Sequence, residues 1–164
     1  MQHRRPMIEG TIAGFLGAAA VALWFLMVDA ANSHPLFTPA VLGASLFDSL
    51  GLGGERSLAA NVTAYTLFHF AAFIATGIVI ASVVRAADRK PSLGFLLFGL
   101  FIAFEAGFLA LTWLMSRSPL YGEIAWWQFG IANLLAAAVM GRHIWRAYHP
   151  TAEDKLLHAM EART

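Results

Sequence analysis

No cysteine occurs among the 164 residues. Disulfides, thiolate metal centres and cysteine nucleophiles are therefore excluded. Charge is almost as scarce: Asp, Glu, Lys and Arg together supply 13% of the chain. That is about half the share usual in soluble domains. So few charges do not cover a water-facing surface, which argues against an ordinary soluble enzyme and against a disordered chain. A net charge of +1 leaves no basic excess for gripping nucleic acid. Catalytic signatures are missing as well. The sequence holds no G-x-S-x-G, H-E-x-x-H, Walker or dinucleotide-binding pattern.

Apolar residues are abundant instead, at 59% of the chain, with a mean hydropathy of +0.63. About 20 consecutive apolar residues cross a bilayer core. Gly10–Val28, Ser57–Val84 and Ile124–Gly141 carry no formal charge, and Pro91–Ser116 is apolar apart from Glu105. These runs predict an all-α, four-transmembrane-helix bundle with spans near 8–31, 60–85, 92–115 and 124–147. Residues 1–150 form its single domain, and 151–164 form a short cytoplasmic tail in which Thr151-x-x-Asp154 resembles a capping box.

The positions of the basic residues set an expected topology. With both termini inside, Arg4, Arg5, Arg85, Arg89, Lys90, Arg142, Arg146, Lys155 and Arg163 face the cytoplasm, while only Arg56 and Arg117 lie outside. That bias follows the positive-inside rule and fits a multi-pass protein of a bacterial-type inner (plasma) membrane. The apolar run after His3-Arg4-Arg5 is longer than a signal-peptide core and rich in glycine, so it reads as a retained span.

Spans one and three end alike, in Leu23-Trp24-Phe25-Leu26-Met27 and Leu111-Thr112-Trp113-Leu114-Met115; spans two and four end in Val84-Arg85-Ala86 and Trp145-Arg146-Ala147. This is the pattern of two tandem helical hairpins in parallel orientation. Aromatic belts and basic ends common to all membrane hairpins would produce it too. Small-residue ridges, Gly10/Gly14/Gly17 on the first helix and Asn133/Ala137/Gly141 on the fourth, suit close packing. Between the first two spans, Thr38-Pro39 reads as N-cap and first-turn proline of a short outer-surface helix near 39–50, stopped by Gly51, Gly53 and Gly54.

Ionisable side chains inside a membrane are costly and point to function by default. Glu105 lies about 11 residues from either end of the third span, roughly 16 Å deep at the helical rise. His69 is the expected partner, with Tyr65, Thr66 and Thr76 on its helical face, while Asn133 falls at similar depth and Asp29 is shallower. With Thr112, these residues make a polar set in the outer half: Glu105, His69, Asn133, Asp29, Tyr65 and Thr112. The inner half offers little beyond Ser82, which suits a blind outward pocket better than a through-path. Met27 and Met115, with His34 nearby, are candidate soft ligands for copper(I). His69 and His143 sit at unmatched depths, which disfavours a bis-histidine haem within one chain.

Two function classes fit these features. The first is a non-enzymatic structural or accessory subunit, embedded in the lipid bilayer and docked into a larger membrane complex or a homo-oligomer, with its polar residues fixing helix register. The second is a ligand-binding or redox-linked protein whose Glu105/His69 pocket holds a quinone, lipid, haem or metal. A proton-coupled transporter using Glu105 is a third class. None of these readings involves nucleic acid.

Overall fold

The computed structural model describes residues 6–87 and 126–148. These are all helical apart from turns: α1 (Pro6–Ala31), α2 (Phe37–Ser49), α3 (Leu58–Ala87) and α4 (Trp126–Tyr148). The expected span near 92–115, with Glu105, Thr112 and Met115, and the tail 151–164 lie outside the described residues.

Pro6 opens α1, at the position where a missing N–H costs nothing. At the other end His34 N–H donates to the Asp29 carbonyl and Ser33 N–H to that of Ala30, with Ser33 at φ 62°. This is a Schellman stop with serine in the left-handed position usually given to glycine. Helix α2 stops the same way, through Leu52 N–H to Phe47 O and Gly51 N–H to Asp48 O, and here Gly51 supplies the positive φ. Ser57 caps α3, its hydroxyl accepting from Ala60 N–H at 3.2 Å.

The start of α2 differs from the sequence expectation. The helix begins at Phe37, behind Leu36 at φ 70°, and no side chain of its own caps it. Thr38 is the second helical residue, not the cap. Its N–H donates to Asp29 Oδ2 at 2.8 Å and its hydroxyl to Asp29 Oδ1 at 2.7 Å. Asp29, reaching across from α1, takes over the capping role. On this helix Thr38, Val41, Leu42 and Ser45 are buried, and Leu50 is exposed.

Helix α1 is the hub. Its Gly10 and Gly14 meet the main chain of α3 at Gly77–Ile78 and Phe73–Ile74, so that a Cβ on Gly10, Gly14 or Gly77 would overlap backbone of the partner helix. The Gly10-x-x-x-Gly14 spacing thus brings two backbones into contact, as small-residue motifs do in membranes. Against α4, Gly17 receives Met140, the Phe25 and Phe129 rings pack with centroids 5.2 Å apart, and Trp24 Nε1 donates to Gln128 O at 3.1 Å. Residue numbers fall along α1 as they rise along α3 and α4, so both partners run antiparallel to it.

Among the described residues, α4 packs through a different face from the expected ridge. Phe129, Ala132, Ala136, Met140, Ile144 and Ala147 are buried, whereas a Cβ on Gly130 or Gly141 would meet none of the described residues within 4 Å. Gly130→Ala and Gly141→Ala should therefore raise stability, by about 0.5–1 kcal/mol each, because glycine inside a helix costs backbone entropy. Thermal unfolding in detergent would check this. An equal loss would show that the face is occupied.

Among the described residues, two helices, α1 and α3, are long and apolar enough to cross a membrane. Only 17% of the most apolar window of α3 is buried. Leu67, Phe68 and Val79 on α3, with Ile8, Phe15, Leu23 and Met27 on α1, are among the exposed large apolar side chains. Helix α4, interrupted by Gln128, Asn133 and the Arg142-His143-Arg146 cluster, does not reach the same hydropathy.

Candidate functional site

The buried ionisable residues among those described, Glu9, Asp29 and His69, fall at three separate places along α1. Near its middle, His69 of α3 lies buried among aromatic rings: Tyr65 stacks at 5.5 Å between centroids, Phe73 packs at 4.7 Å and Phe70 at 5.9 Å. Its Nε2 is 3.2 Å from the Ala18 carbonyl. A carbonyl only accepts, so Nε2 carries the proton and donates.

Of the other residues expected beside His69, Tyr65 is there. Thr66 and Thr76 turn back to carbonyls of their own helix, Val62 and Ala72. Asn133 is not bonded to His69; its buried Nδ2 has no hydrogen-bond partner among the described residues. Glu105 and Thr112 lie outside the described residues.

His69 supplies ring packing and one interhelical hydrogen bond, and their magnitudes differ. Interhelical hydrogen bonds in membranes average about 0.6 kcal/mol, while truncating a packed aromatic side chain costs about 3 kcal/mol or more. His69→Phe should therefore cost less than about 1 kcal/mol and His69→Ala several times that. Comparing their unfolding midpoints in detergent tests the ranking. Equal losses would mean that the hydrogen bond, not the ring packing, holds His69 in place.

A second polar place is at the Pro6 end. His143 of α4 donates from Nε2 to Glu9 Oε2 across 3.2 Å, with Glu9 buried. The pattern of the sequence did not single out this pair. Glu9 stands beside the basic N-terminus and His143 between two arginines, where both look like ordinary interfacial charge.

The third place is where α1 stops. Asp29 is 4% exposed and Thr38 2%. Beside their pair opens a recess of about 420 Å³ lined by Val28, Asp29, Asn32, His34, Phe37, Thr38 and Gln128. Asn32 Nδ2 donates to Val28 O at 2.9 Å, and His34 Nδ1 donates to Asn32 O at 2.8 Å. Met27 is 60% exposed and is not part of the lining. The soft Met27/His34 pair considered for copper is therefore not gathered here, and Met115 lies outside the described residues. Among the described residues, no three His, Asp or Glu side chains converge as metal ligands do.

No family model, curated protein or solved structure matches the chain. The functional reading rests on these contacts alone.

Proposed function

We propose that this protein is a non-enzymatic integral membrane protein, a structural or accessory subunit of a larger membrane complex or a homo-oligomer. One observation carries the reading. Three buried ionisable side chains among the described residues, Glu9, Asp29 and His69, each bond to a different helix of the same chain. Groups that spend their hydrogen bonds on tying helices together set register and crossing, which is what a scaffold asks of them.

The exposed apolar faces of α1 and α3 support a bilayer setting, since water-facing proteins do not leave such continuous apolar area uncovered. The helix directions support four crossings in a bacterial-type inner membrane. Helix α3 ends and α4 begins at opposite ends of α1, and in the intervening sequence Pro91–Ser116 is apolar enough for a span. Both termini are then cytoplasmic, as the basic residues require.

Native mass spectrometry from mild detergent tests the proposal, because it reports partners, copy number and retained ligands together. The scaffold reading expects an oligomer or a complex, with His69→Ala and Glu105→Gln lowering its recovery. Variants that stay fully assembled while an assayable activity disappears would overturn it.

The second reading, an outward pocket, is favoured by the recess beside Asp29. Its described polar lining belongs to the end of α1 and not to His69. A stoichiometric quinone, lipid or haem retained by the purified protein and lost in Asp29 variants would establish it.

A further inference from the structure

We infer that the recess at the end of α1 is a binding site for a small primary ammonium, and that Asp29, Asn32 and His34 receive its three N–H donors. This goes beyond the scaffold reading and does not depend on it.

The inference starts from which lone pairs remain. Thr38 donates once to each Asp29 carboxylate oxygen, and each oxygen keeps a further acceptor position. Asn32 gives one N–H of Nδ2 to the Val28 carbonyl and keeps Oδ1 as an acceptor beside its second N–H. His34 commits Nδ1–H to the Asn32 carbonyl, so in the neutral ring Nε2 carries a bare lone pair. Asn32 and His34 have thus each given a donor to the backbone, and together with Asp29 they put three side chains that keep an acceptor on one recess.

Charge points the same way. The C-terminal end of a helix carries partial negative charge, which cations favour. The last turn of α1 has no basic residue and holds Asp29 instead. Among the described residues, no cationic side chain lines the recess. Asp29, 4% exposed, stands between that negative end and the N-terminus of α2, which it caps, and a cation in the recess would meet the lone pairs that Thr38 leaves on it.

A primary ammonium fits better than a metal ion. It brings three donors to the acceptors of Asp29, Asn32 and His34, whereas a metal site would want more than one imidazole and one carboxylate. The apolar parts of Val28 and Phe37 line the same space and suit a short alkyl chain. The volume, about 420 Å³, lies within the range of small-molecule pockets.

The test is calorimetric titration of the full chain in detergent with n-butylammonium, and with n-butanol as the neutral match of similar size. His34 and Asn32 are exposed, so His34→Ala and Asn32→Ala leave the Asp29–Thr38 pair in place. Saturable one-to-one binding of butylammonium, absent for butanol and weakened about tenfold in either variant, is the expected result. An unchanged unfolding temperature without ligand would show that each variant is folded. No saturable binding, binding equal to that of butanol, or affinity indifferent to both substitutions would overturn the inference. Zn²⁺ binding that is lost in His34→Ala, with no response to butylammonium, would overturn it in favour of a metal site.

Discussion

Gly14→Val should strongly destabilise the folded bundle. The added Cβ would overlap the Phe73 carbonyl oxygen and the Ile74 Cα, both main-chain atoms that no rotamer change moves aside. Helices α1 and α3 must then separate along their whole crossing. That takes the Gly10–Ile78 and Gly77–Gly10 contacts with it and draws the Ala18 carbonyl away from His69. Overpacking a filled core costs about 1–3 kcal/mol where side chains can yield, and more where backbone must. We expect a loss of about 3 kcal/mol or more, a large part of the stability of a small domain. Gly77→Val should do the same from the other side. Size-exclusion profiles and thermal unfolding in detergent would show it, with Gly141→Ala as the matched control. A Gly14→Val protein with wild-type unfolding would mean that α1 does not contact α3 through this face.

The second large effect is expected at Asp29. Asp29→Ala strands the Thr38 N–H and hydroxyl at a site where Thr38 is 2% exposed, and removes the side-chain cap that α2 has among the described residues. Losing two hydrogen bonds to a charged acceptor, with both donors left buried, costs on the order of 3 kcal/mol. Asp29→Asn should be far milder, about 1 kcal/mol, because an amide oxygen still accepts from the N–H and the amide nitrogen can donate to the hydroxyl. Thr38→Val, which leaves the N–H bond intact, should resemble Asp29→Asn. The three unfolding midpoints give the ranking directly. Were Asp29→Ala as mild as Asp29→Asn, α2 would be held by its packing on α3 and not by this cap.

These two sites show how far the sequence could be read. The bounds of the four described helices were legible to within about two residues, because charge-free runs and glycine stops are local signals. The Gly10-x-x-x-Gly14 ridge was legible too, since its spacing alone puts both glycines on one face. The cap of α2 was not. Thr38-Pro39 has the local form of a cap, but the acceptor that decides the matter lies nine residues back, on another helix. The face of α4 that meets α1 was not legible either. Small residues line both of its sides, so composition does not choose between Ala132/Ala136 and Ala137/Gly141; the contacts of α1 do.

The candidate site follows the same division. His69 was recognisable as a lone ionisable residue in an apolar run, and it is buried as expected. Its partner is a backbone carbonyl, which every residue possesses and no sequence pattern marks. Asp29 was recognised as shallow and polar, yet the recess beside it depends on a Schellman turn through Ser33 that brings His34 back over the helix end. Serine at a left-handed position carries a weaker signal than glycine would.

The absence of cysteine makes the most direct test of the membrane account simple, because any introduced cysteine is the only thiol. Ser33→Cys and Leu52→Cys lie in the turns flanking α2, and Arg85→Cys lies in the last turn of α3. A membrane-impermeant maleimide applied to intact cells should label the first two and reach Arg85→Cys only after permeabilisation. Equal labelling at all three positions, or recovery of the protein in the soluble fraction, would contradict a bundle spanning the bilayer.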